Sequence, residues 1–130
     1  MSNFFRKIGK VFKSIGKFLH KLWLKKKPVI LSMIKGALYA FKPVLAKKIE
    51  EKKDDFKPDE IADFIIGYAI TQMNVLLKHV SVIKKLAIGL LEGFKPKVVM
   101  MLQAKEDEID SEELASDIMD RIYLDIKKRL

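Results

Sequence analysis

The feature that most constrains this chain is a shift of 53 positions, which lays residues 28–77 on residues 81–130 without a gap. Under it Val29-Ile30 falls on Val82-Ile83, Gly36 on Gly89, Leu38 on Leu91, and Phe41-Lys42-Pro43 on Phe94-Lys95-Pro96. Lys52, Asp54, Glu60, Ala62 and Ile65 fall in the same way on Lys105, Asp107, Glu113, Ala115 and Ile118. Matches at one period, spread along the whole unit, describe a tandem duplication of a supersecondary element. The sequence thus predicts a body, residues 28–130, made of two repeats, 28–77 and 81–130.

Each repeat reads as two helices. Apolar residues recur at Ile30, Met33, Ile34, Ala37, Leu38, Phe41, Val44, Leu45 and Ile49, a spacing of three and four that marks one helical face. Ile83, Leu86, Ala87, Leu90, Leu91, Phe94, Val98 and Leu102 repeat it. Both faces run straight through a proline. A proline inside a helix removes one backbone hydrogen bond and crowds the preceding turn, so the first helix of each hairpin is expected to kink, or to split, at Pro43 and Pro96.

The second helices have their own start signals. Pro58 suits a first helical turn, and Asp110 followed by Glu113 has the spacing of a capping box. Acidic residues at both starts favour the positive end of the helix dipole. Residues 61–77 are apolar on almost every side, which predicts a central helix. Leu114, Ile118, Ile122, Ile126 and Leu130 form a single stripe, which predicts an outer one. The short turns between 54 and 57 and between 106 and 110 favour antiparallel neighbours. The expected fold class is all-α, an N-terminal amphipathic helix followed by a duplicated helical-hairpin body in a four-helix arrangement.

Residues 1–27 read differently, as a basic amphipathic helical arm. At about 100° per residue, Phe4, Phe5, Ile8, Val11, Phe12, Ile15, Phe18, Leu19, Leu22 and Trp23 share an arc of roughly 140°. Arg6, Lys7, Lys10, Lys13, Lys17 and Lys21 take the other side. This is the pattern of a helix lying in a membrane interface. Phe4, Phe5, Phe12, Phe18 and Trp23 are the candidates for insertion at the headgroup boundary. Arg6, Lys7, Lys10, Lys13, Lys17, Lys21, Lys25, Lys26 and Lys27 are the candidates for binding an anionic surface. Lys26 would interrupt the apolar arc and Pro28 suits the opening of a new helix, so the arm is expected to end at residue 27.

Charge follows the same division. The chain carries a net +9, with 26 basic and 17 acidic residues. Nine of the basic residues and none of the acidic ones lie in residues 1–27, which leaves the body neutral. A localised block of like charge is an interaction tail for an anionic partner.

Within the arm, Ile15-Gly16-Lys17-Phe18-Leu19-His20 resembles the opening of the magainin-type antimicrobial peptides. The resemblance implies a segment that is unordered in water, becomes helical on anionic lipid and perturbs the bilayer. It covers six residues and stops at Lys21-Leu22-Trp23, where that family has small side chains.

Catalytic chemistry finds no support. There is no cysteine, His20 and His79 stand apart from other metal-ligand types, and the acidic run from Glu106 to Glu113 lacks the alternating oxygen ligands and central glycine of a calcium loop. No nucleophile turn or phosphate-binding glycine loop occurs. The arm lacks the apolar stretch and cleavage site of a secretory signal, and no run of about 18 uncharged apolar residues is available to span a bilayer. The expectation is a non-enzymatic, cofactor-free protein, peripheral on membranes, that anchors to or perturbs them. A phage or viral structural component, carried in a virion, is a context that fits. The alternative is an assembly protein, a homo-oligomer or one that joins other structural subunits, which packs the arm's apolar face on them and presents its lysines to nucleic acid.

Overall fold

The structure is a computed structural model that describes residue 21 and residues 23–130. The chain divides into two units, Met1–Ser32 and Met33–Leu130. The described residues are helical apart from short connections, and no strand occurs among them. The fold is all-α, as the spacing of apolar residues predicts.

Helix α1 covers residues 23–40, so the helix passes through Pro28 instead of starting there. Pro28 withholds the N–H that would reach the carbonyl of Leu24. Leu24 is 52% exposed, and water can take that carbonyl in place of the missing donor. Lys25 and Lys26 are exposed, so neither places a charge in an apolar interior.

Helix α2, Lys42–Glu51, follows after a break at Phe41. Pro43 occupies its first turn, where a missing N–H is harmless. At the break, the Phe41 N–H turns to the Leu38 carbonyl at 3.1 Å instead of continuing the α-helical ladder to Ala37. The Ala37 carbonyl thus released accepts a hydrogen bond of 2.9 Å from the Tyr68 hydroxyl. Burial raises the pKa of that hydroxyl.

Helix α3 spans Pro58–Leu76, α4 spans Ser81–Ala104 and α5 spans Ser111–Arg129. Pro58 lies in the first turn of α3, and the Asp110 carboxylate accepts a 3.2 Å hydrogen bond from the Glu113 N–H to cap α5. Pro96 stays inside α4, where the backbone continues as helix. The carbonyl it leaves without a partner is that of Glu92, an exposed residue, so solvent can take the role of the lost donor. The two prolines at matching repeat positions therefore sit differently, one opening a helix and the other embedded in one.

In the unit Met33–Leu130, α3 packs mainly on α4 and α2 mainly on α5, with lesser contacts between α4 and α5 and between α2 and α3. Helices α2 and α4 do not touch, so they stand at opposite corners. The principal partners thus come from different halves of the sequence. Burial follows the 53-residue spacing. Leu38, Phe41, Leu45 and Ile49 are buried, and so are Leu91, Phe94, Val98 and Leu102. Ile61, Ala62, Ile65, Ile66, Ala69 and Met73 are buried, and so are Leu114, Ala115, Ile118, Met119, Ile122 and Ile126. Fully burying one such Leu, Ile or Phe contributes about 1.5–3 kcal/mol.

The expected contrast between a central and an outer second helix is not what the structure shows. Helix α3 exposes Phe64 (37%) and Val75 (65%), while α5 adds Ala115 and Met119 to its buried stripe. With four helices around one core, each gives one side to the interior. Among the described residues, an apolar face beyond that side meets no further helix.

Candidate functional site

Of the arm residues expected to bind a surface, Phe4, Phe5, Arg6, Lys7, Lys10, Phe12, Lys13, Lys17 and Phe18 lie outside the described residues. Lys21, Lys25 and Lys26 are exposed, while Trp23 and Lys27 are half-buried. Residues 25, 26 and 27 are consecutive in a helix, so successive side chains point about 100° apart. They ring the helix with charge instead of forming one face. Lys21 and Lys25, four residues apart, share a side.

By length and composition, the helical run Trp23–Glu51 can cross a membrane, with 33% of its apolar window buried. A requirement for wholly uncharged residues excludes this stretch, because Lys35 and Lys42 interrupt residues 28–46. The same length and composition suit the core helix of a soluble bundle.

The body is neutral in sum and divided in space. Glu50 and Ser111 meet at 2.6 Å, the Ser111 hydroxyl donating to the carboxylate, so the α2–α3 and α4–α5 turns occupy one end. Residues 45–65 and 98–118, which build this turn end, hold fourteen carboxylates against six lysines. The rest of 33–130 holds eleven basic residues against three carboxylates. The turn end therefore carries −8, and the +8 that balances it is spread over the remainder of 33–130.

The basic end brings together the link between α3 and α4 and the last turns of α5. A groove of 220 Å³ between α4 and α5 is floored by Leu91, Ile122 and Ile126 and edged by Gly89, Lys97 and Arg129, which sets the start of α4 beside the end of α5. Lys78, Lys85, Lys127, Lys128 and Arg129 are exposed here. So are Val82 (74%), Leu86 (48%) and Leu124 (56%). The charge pattern along the sequence points to the arm alone and not to this surface. The signal lies in where each repeat puts its charges, carboxylates beside its internal turn and lysines at its outer ends. It becomes visible only when the hairpins are folded.

A third cluster holds α2 to α5. Lys42 Nζ donates to Asp120 Oδ1 at 2.8 Å and to Ser116 Oγ at 3.1 Å, and it stands 3.8 Å from the centroid of the Tyr39 ring. The Lys42 ammonium holds the Asp120 carboxyl below its ordinary range, with hydrogen bonds from Tyr39 and Ser116 acting the same way against the opposing effect of burial. Its partner across the bundle is Lys95, which pairs with Asp63 of α3 at 2.6 Å. Lys42 and Lys95 are 53 positions apart, as are Asp63 and Ser116. The cluster is a pair of inter-helix clamps.

No protein-family model, curated protein or solved structure matches the chain.

Proposed function

We propose that this is a non-enzymatic membrane-associating protein whose cationic amphipathic arm binds anionic lipid surfaces, carried by a body built from two copies of one helical hairpin. The observation that carries this reading is the composition of residues 1–27, nine basic side chains and no acidic one set against an arc of ten large apolar residues. Nucleic acid would reward the lysines alone. A lipid interface rewards both faces, burying the aromatics at the headgroup boundary while the lysines meet phosphate. Each lysine near such a surface adds about 1 kcal/mol, screened by salt.

The test is co-sedimentation of the full chain with anionic vesicles, neutral vesicles and duplex DNA at low and physiological salt. A second chain carries Phe12→Glu and Phe18→Glu, which break the apolar arc and leave every lysine in place. The expected result is salt-sensitive pelleting with anionic vesicles, weak pelleting with neutral ones and loss of both in the variant. Tight DNA binding by both chains with no lipid affinity would transfer the function to nucleic acid and assembly.

A further inference from the structure

We infer that the basic end of the body is a second lipid-contact surface, which seats on anionic headgroups and turns the acidic turn end away. This rests on the membrane reading of the arm and adds an orientation to it.

The observation is the coincidence of charge and exposed apolar surface at one end. Val82 and Leu86, one helical turn apart on α4, are 74% and 48% exposed. Exposed Lys85 neighbours both, three residues after Val82 and one before Leu86, and Arg129 lines the α4–α5 groove with Gly89, one turn further along α4. Lys84, Lys85, Lys127 and Arg129 form none of the ion pairs found among the described residues, unlike Lys42, Lys95 and Lys97 nearer the middle. Unpaired cations around exposed aliphatic side chains match a headgroup layer, which offers phosphates to the first and acyl boundary to the second. A polyanion without an apolar layer would leave Val82 and Leu86 in water.

Orientation follows from the opposite end. Fourteen carboxylates against six lysines are repelled by the surface that attracts the basic end. The field of an anionic bilayer therefore both pulls the body in and rotates it. Charge complementarity selects this end, and the apolar pair fixes its depth.

The chain has no cysteine of its own, so one can be placed at will. Val82→Cys and Glu108→Cys, both at exposed positions, are each labelled in the full chain with an environment-sensitive fluorophore and mixed with phosphatidylglycerol-containing vesicles. The label at 82 is expected to shift to the blue and to resist an aqueous quencher, while the label at 108 does neither. Reversing Lys84, Lys85, Lys127 and Lys128 to Glu is expected to weaken vesicle binding roughly tenfold or more with the arm intact.

Pelleting with both labels equally open to quencher would overturn this inference and leave the arm's role standing. A chain that pellets with no vesicle would overturn both. Protection of position 82 by duplex DNA but not by vesicles would assign the surface to nucleic acid.

Discussion

Phe41 ties a backbone event to the core. It is 3% exposed, its ring is stacked on Tyr68 at 3.8 Å and 8°, and it meets Phe64 at 5.3 Å. The helix breaks at this residue, and the Tyr68 hydroxyl bonds the carbonyl the break releases. Phe41→Ala removes the ring and the surface that seats Tyr68, so urea unfolding should show a loss of about 3–5 kcal/mol. Phe64→Ala, at a ring 37% exposed, should lose much less. Asp120 supplies a pH dependence. Its carboxyl is held below the ordinary range by Lys42, so the folded state favours the ionised form. The contribution is complete above about pH 4, the unfolded-state value, and is lost as pH falls through the lower folded value. Because Asp120 is 43% exposed, solvent screens the pair and the effect should stay within about 0.2–1 kcal/mol. Stability measured from pH 6 down to pH 2 should fall more in the native chain than in Asp120→Asn, with the two curves converging at the acid end.

At the scale of helices, the two prolines make opposite predictions. Pro96 lies within α4 and denies Glu92 a backbone partner, so Pro96→Ala should stabilise the fold by up to about 3 kcal/mol, visible as a higher thermal midpoint. Pro43 lies in the first turn of α2, so Pro43→Ala should be close to neutral. This difference was hidden in the sequence, where both prolines sit in the same Phe-Lys-Pro and both interrupt an apolar stripe. The stripe showed which residues face the core at Leu38, Phe41, Leu45 and Ile49. It was wider than the face that is buried, so Met33, Val44 and Leu86, counted in it, are 49%, 51% and 48% exposed. Periodicity assigns a side of a helix but not the width of the neighbour that covers it. The cap at Asp110 and the start at Pro58 were legible because both are local, decided within one turn. The Lys42–Asp120 clamp spans 78 positions, and no local pattern announces it.

For the molecule as a whole, the pairing of α2 with α5 and α3 with α4 has a thermodynamic result. Neither half of the sequence can complete its core alone, because its principal partners are in the other half. Residues 33–130 should therefore unfold in one transition, with circular dichroism and near-ultraviolet signals coincident and calorimetric and van't Hoff enthalpies equal. Two separated transitions would mean that each hairpin is stable by itself. The connection from Leu77 to Ser81 then takes on a particular character. Leu77 belongs to the core, and beyond it Lys78 and His79 are exposed, so the turn itself contributes as a tether, setting the effective concentration of one hairpin around the other. Two chains meeting at high concentration could exchange hairpins through this tether and keep every buried contact, an open route to intertwined dimers.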